Sequence, residues 1–206
     1  MLSEQASLEY AAFANLAERF TQIGQGALII THGYSGSGKS TLASQLAEAI
    51  CGLQIRSDIE RKRLFGYRAE QHTGSGIESG LYTQEAGEQT YLRLAECAKA
   101  VIAAGFSAVV DAAFLKAGQR DLFRQLAAEC GVPFVIVDFQ ASDEELCRRI
   151  RQRQNDASEA TIEVLQHQQQ SEHPLSAEEQ AYVITINTEK GNALEMLMDY
   201  FDVYFQ

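Results

Sequence analysis

Proline is almost absent from the chain, at two residues in 206, and cysteine is sparse and scattered. The four thiols, Cys51, Cys97, Cys130 and Cys147, form no CxxC pair and have no histidine at metal-ligand spacing. That excludes a zinc site and a disulfide framework and leaves reduced packing residues. No apolar stretch approaches the roughly 18 residues of a membrane-spanning helix. No basic, then apolar, then small-residue leader opens the sequence, so a cytoplasmic protein with no membrane partner is expected. Positive charge is also short: 17 Lys and Arg stand against 28 Asp and Glu. The net charge of -11 disfavours a general nucleic acid binder, although a small basic cleft can persist on an acidic surface.

What is present is a globular composition. With 46% hydrophobic residues, a chain of this length buries one sizeable core, roughly 70% of its unfolded surface. Leu8, Ala12, Leu16, Phe20 and Ile23 recur at helical spacing behind Ser3. They predict an N-terminal docking helix within residues 1–24, ahead of one domain over 25–206. In that domain apolar runs alternate with helical periods. Strands are expected in "GALIITHG", "LQIRSD", "SAVVDAAF", "VPFVIVDFQA" and "AYVITINT". Between and after them, "KSTLASQLAEAI", "IERKRLFG", "YTQEAGEQTYLRLAECAKAVIAAG", "KAGQRDLFRQLAAECG", "SDEELCRRIRQR", "TIEVLQHQQQSEH" and "GNALEMLMDYFDVYF" read as helices. Ser142 and Glu145 fit a capping box, the polar segment from Tyr67 to Gly80 reads as a mobile loop, and "QHQQQ" reads as a solvated helix face. Five strands alternating with helices predict a three-layer α/β fold, a doubly wound parallel sheet whose ligand crevice lies beyond the carboxyl ends of the strands.

The stretch "HGYSGSGKST", His32 to Thr41, sits between the first strand and the next helix. Gly33, Gly38, Lys39 and Ser40 satisfy GxxxxGK[ST], the phosphate-binding loop pattern, in the strand-to-helix context that its mechanism requires. Glycines let the chain curl so that backbone N–H groups of Ser35, Gly36, Ser37, Gly38, Lys39, Ser40 and Thr41 face inward at the positive end of a helix. Lys39 then bridges outer phosphates and the Ser40 hydroxyl holds Mg²⁺. No NKxD base-reading motif and no LSGGQ-like signature is present, which turns the reading from GTPase and transporter ATPase to kinase.

A kinase needs a carboxylate to orient an acceptor hydroxyl and take its proton, and a cation to hold charge in transfer. Asp58, just past the second strand, and Arg61, one helical turn on, have that chemistry; the plainer reading makes Asp58 a helix cap. Asp111 closes the third strand and is placed to hold the Mg²⁺ shell, or simply to satisfy loop amides. Arg149 and Arg153, four apart, share a helix face and are candidates to flank a nucleotide, against a solvated face paired with Glu144 and Glu145. His32 and Tyr91 are expected to pack, as is Tyr82, and His72 to be a solvated loop residue.

In order, "LIITHGYSGSGKST", "IRSDIERKRLFG", "VVDAAF", "RRIRQR" and "VITINT" resemble the P-loop kinases related to polynucleotide kinase and the zeta-toxin-like kinases. The likeness is greatest to the ATP-binding domain that many bacteria fuse behind an aminoglycoside-phosphotransferase-like domain. It covers residues 27 to about 188. The resemblance implies sheet order 2-3-1-4-5, a lid near 152–162 and a phosphotransferase-like partner domain. It also implies a general base at Asp58 with Arg61 beside it, Arg149 against adenine, Arg153 on phosphates, and Asn187 and Thr188 at the adenine pocket. "YRAEQHTGSGIESGLYT" matches no acceptor signature. The expected activity is ATP- and Mg²⁺-dependent transfer of the γ-phosphoryl group to a hydroxyl of a small molecule. A 5'-hydroxyl nucleic acid kinase and an ATP-binding regulatory module are the rival readings.

Overall fold

Leu28, Ile29 and Ile30 are fully buried on alternating faces of one strand, and the rest of the chain is arranged to cover both faces. The computed structural model describes residues 26–69, 71, 83–152, 158 and 160–204. The expected N-terminal helix, most of the loop after Tyr67, Arg153 and much of the expected lid lie outside them, as do His72 and Tyr82. The strands are β1 (Leu28–His32), β2 (Leu53–Arg56), β3 (Ala108–Asp111), β4 (Phe134–Gln140) and β5 (Val183–Asn187). The helices are α1 (Lys39–Ala49), α2 (Ser57–Leu64), α3 (Gln84–Ala103), α4 (Ala117–Cys130), α5 (Asp143–Gln152), α6 (Ile162–Ser171) and α7 (Ala193–Tyr204). All pairings are parallel, in the order β2-β3-β1-β4-β5. This is the order that the family resemblance implies, in the doubly wound sheet expected from the strand alternation.

One face of the sheet packs Leu28, Ile30, Val110 and Ile136 against Leu94 of α3 and Phe123 of α4. The other packs Ile29, Val109, Val137 and Ile186 against Leu46 of α1 and Leu197 of α7. A small third cluster, Leu146, Ile150 and Leu165, seats α5 against α6. Burying these side chains at about 1.5–3 kcal/mol each fixes the strand register. The register in turn sets Arg56 opposite Asp111 and His32 opposite Asp138 at the carboxyl edge.

Three local expectations needed correction. β3 stops at Asp111 because the Thr31 hydroxyl bonds both the Ala112 carbonyl and its N–H, and Phe114 then turns to positive φ. α2 begins at Ser57, so Asp58 lies inside the first turn and Arg56 occupies the cap position, without a side-chain cap bond. The capping box of α5 is only half formed: Ser142 Oγ accepts from the Glu145 N–H, but the Glu145 carboxylate turns to Arg148 and Arg149. Glu189 serves the Ser142 N–H instead.

Candidate active site

The phosphate loop follows β1 directly. Gly33 has φ +131 and a Cβ there would stand 2.5 Å from the Phe139 carbonyl; Gly36 has φ +87 and a Cβ there would stand 2.7 Å from the Leu146 carbonyl. Both positions require glycine on conformation and on space. Gly38 caps α1 with no side chain, and the first turn of α1 carries no acidic residue, so its N-terminal amides keep their positive character for an incoming anion. Lys39 Nζ reaches back over the loop to the Tyr34 carbonyl at 2.6 Å and Ser37 Oγ at 3.4 Å.

Beside this loop opens a cavity of about 700 Å³, at the carboxyl edge of β1, β2 and β3. Ser35, Gly36, Gly38, Lys39, Ser40 and Thr41 line it together with Asp58, Arg61, Asp111 and Arg149. The structure therefore brings these sequence-selected residues to one cavity, while Gly33, Ser37, Asn187 and Thr188 do not line it. Ser37 is buried behind the loop, where its amide closes a turn on the Tyr34 carbonyl. Asn187 is exposed at the end of β5, and its Oδ1 accepts the Glu189 N–H rather than facing the cavity. The residue that Arg149 grips is its neighbour Thr188.

Asp58 stands 3.6 Å from Arg61 across one turn of α2. Asp111 is buried at the end of β3; burial pushes its carboxyl above the usual range, Asp58 adds to this, and Ser40, Lys39 and Arg56 oppose it. Ser40 and Asp111 line the same cavity, and Ser40 works to lower the pKa of the Asp111 carboxyl. A hydroxyl and a carboxylate meeting at a phosphate loop form the hard-oxygen pair that suits Mg²⁺, which keeps most of its waters. Arg149 donates to the Gly36 carbonyl and to both oxygens of Thr188, and with Arg148 it holds the Glu145 carboxyl down at about 2. Tyr91 lines the cavity but its hydroxyl accepts the Phe114 N–H and its ring meets Phe114 edge-on at 5.1 Å. Burial pushes its phenol up to about 12, which keeps it protonated and structural.

Sequence reading missed Gln54, Arg56 and Gln168. Gln54 Nε2 donates to the Ser40 carbonyl and to Asp111, each at 3.1 Å, and Arg56 Nε lies 3.6 Å from Asp111. Their i,i+2 spacing on β2 was the available signal, since it puts both on one strand face. Gln168, assigned with its tract to a solvated face, instead accepts the Ser35 N–H at 2.9 Å and lines the cavity. The rest of the tract, Gln166, His167, Gln169 and Gln170, is exposed and fits the solvated reading, with Gln169 bonded to Asp143. His32 packs as expected, with Nδ1 2.7 Å from Asp138.

A family profile described as an AAA domain matches residues 28–175. The chain belongs to this AAA domain family, AAA_33. Uncharacterized proteins of Mycobacterium tuberculosis (Rv2004c) and Mycobacterium bovis (Mb2027c) are each 28% identical over 137 residues, 66% of the chain. The chain spans 28% of the length of these curated relatives. Among solved structures it resembles an unliganded sugar kinase of Janibacter sp., with a TM-score of 0.65 at 21% identity, covering 86% of the chain and 95% of that one. A gluconokinase of Sinorhizobium meliloti gives 0.60 at 22%, covering 88% and 97%. The APS kinase of Mycobacterium tuberculosis, solved with AMPPNP and APS, gives 0.61 at 16%, covering 88% and 99%. These likenesses show that this AAA_33 member has the fold of P-loop small-molecule kinases, with a five-stranded parallel sheet. Among the described residues no helix is long and apolar enough to cross a membrane.

Proposed function

We propose that the protein is an ATP- and Mg²⁺-dependent kinase that moves the γ-phosphoryl group of ATP to a hydroxyl of a small-molecule acceptor. The observation that carries this reading is the pairing of Lys39 on the phosphate loop with Asp58 in the lining of one cavity. In that arrangement the loop amides bind the phosphate chain and Lys39 neutralises its outer oxygens. Asp58 orients the acceptor hydroxyl and accepts its proton as the oxygen bonds to phosphorus and ADP departs. Arg61 pairs with Asp58 and offers positive charge to the group in flight. Mg²⁺ would be held by Ser40 and, through water, by Asp111, and would neutralise phosphate charge. The in-plane N–H groups of Arg149 are committed to Gly36 and Thr188, which leaves the flat guanidinium face for adenine.

The test is Asp58→Asn. ATP affinity measured by calorimetry stays close to that of the wild type, while label transfer from ATP to the acceptor, found with a panel of alcohols, sugars and nucleotides, falls by about two orders of magnitude. Full transfer by the variant removes Asp58 as the base. No affinity of the wild type for any nucleoside triphosphate with Mg²⁺ removes the kinase reading altogether.

A further inference from the structure

On the kinase reading, we propose that Gln168, delivered by α6, is a γ-phosphoryl-contacting residue of the transfer site. Its Oε1 accepts the N–H of Ser35 at 2.9 Å, while Lys39 Nζ donates to the carbonyl of Tyr34 at 2.6 Å. That carbonyl and that N–H belong to one peptide unit, which is planar. The Gln168 carboxamide and the Lys39 ammonium are therefore anchored to opposite ends of a single peptide bond. Lys39 is the group that meets the outer phosphates, and Gln168 grips the same peptide unit from its other side, which assigns Gln168 to that end of the phosphate chain. It lines the same cavity as Asp58 and Arg61.

The orientation of the carboxamide follows from hydrogen-bond chemistry. The Ser35 N–H can only donate, so the atom that it meets is the carbonyl oxygen, and the Nε2 end carries the donors. Among the described residues no acceptor takes those donors. A pair of N–H groups lining the same cavity as the Lys39 ammonium and the Asp58 carboxylate is suited to the oxygens of a transferring phosphoryl group, where charge is spread in the transition state.

The helix that carries Gln168 is held for the purpose. Thr161 caps it by accepting the Val164 N–H, Val164 and Gln168 lie four apart on the cavity face, and Leu165 packs against Leu146 and Ile150. Past its end, Glu172 accepts the Tyr34 hydroxyl, a second tie between the α6 segment and the same loop. Gln168 is thus placed to register whether the terminal phosphate is present.

Calorimetry with Mg²⁺-ADP and Mg²⁺-AMPPNP on the wild type, Gln168→Ala and Gln168→Glu tests this. The alanine variant is expected to bind AMPPNP roughly ten-fold more weakly, as loss of a hydrogen bond to a charged group implies, with ADP affinity within about two-fold. The glutamate variant keeps an acceptor for Ser35 and replaces the Nε2 donors with an anionic oxygen; it is expected to lose more AMPPNP affinity than the alanine variant and to hold ADP. Equal losses for both nucleotides would reduce Gln168 to a loop support. Tighter binding of both would make it a competitor of phosphate, and either result overturns the proposal while leaving the kinase reading intact. A wild type that binds neither nucleotide removes both.

Discussion

Gln54 Nε2 lies 3.1 Å from a carboxylate oxygen of Asp111, and the same nitrogen lies 3.1 Å from the Ser40 carbonyl. One carboxamide thus joins β2 to the end of β3 and to the first turn of α1. Those are the two places from which Ser40 and Asp111 would hold Mg²⁺. Gln54 touches no reacting atom on this geometry; it is a positioning residue.

Gln54→Leu should therefore act through the metal. The dependence of ATP affinity on Mg²⁺ concentration, followed by calorimetry, should shift to about ten-fold higher Mg²⁺, in the range expected when a support of a ligating carboxylate is lost. Affinity for ATP measured in EDTA should barely change. A uniform loss in both conditions, or no shift with Mg²⁺, would show that the Gln54 bridge is only structural.

The difference between Gln54 and Lys39 shows what sequence exposes. Lys39, Ser40, Asp58, Arg61 and Asp111 were legible as candidates because a motif or the end of a strand marks each one; the strand alternation gave a doubly wound parallel sheet, and the family resemblance implied the order that brings them together. Gln54 and Gln168 are ordinary polar residues whose roles come from what tertiary packing sets against them: Asp111 in one case, the Ser35 amide in the other. Asn187 lies away from the cavity for the converse reason. Its place at the end of β5 was right, but the strand alternation turns it outward and leaves Thr188 to meet Arg149. Asp58 was legible as chemistry and not as local structure, since α2 starts before it.

Arg149 fastens the phosphate loop to the exit of β5, with bonds to the Gly36 carbonyl and both Thr188 oxygens. A planar fork makes these bonds together; an ammonium cannot. Arg149→Lys should therefore weaken ADP and AMPPNP alike, by roughly ten-fold. This common loss distinguishes it from the Gln168 variants. Its thermal midpoint should move little, because the side chain is partly exposed and the α5 face that packs the core is untouched. Unchanged affinity for both nucleotides would show that the loop holds its shape without this clamp.

Arg120 is the most deeply buried charge described, and it anchors the segment that follows α6. Its guanidinium donates to the carbonyls of Phe114, His173 and Pro174 and to both carboxylate oxygens of Glu179. Burial works against the Glu179 carboxylate, but Arg120 and the amide and hydroxyl of Ser176 overcome it and hold its pKa down at about 2, from an ordinary 4.5. A folded-state value below the unfolded one means that the stabilisation is complete above pH 4.5 and drains away as pH falls toward 2. Glu179→Gln should thus be less stable than the wild type by about 2 kcal/mol at pH 7, allowing for solvent screening of the partly exposed carboxylate. Urea unfolding at pH 7 and pH 3 checks the sign: the difference between the two proteins should narrow at the lower pH. A gap of the same size at both would mean that the ionised Glu179 is not what secures Arg120. Because Arg120 fixes the chain leaving α6, the variant should also relax the hold of Gln168 on Ser35, seen as faster amide exchange at Ser35 under conditions where β1 remains protected.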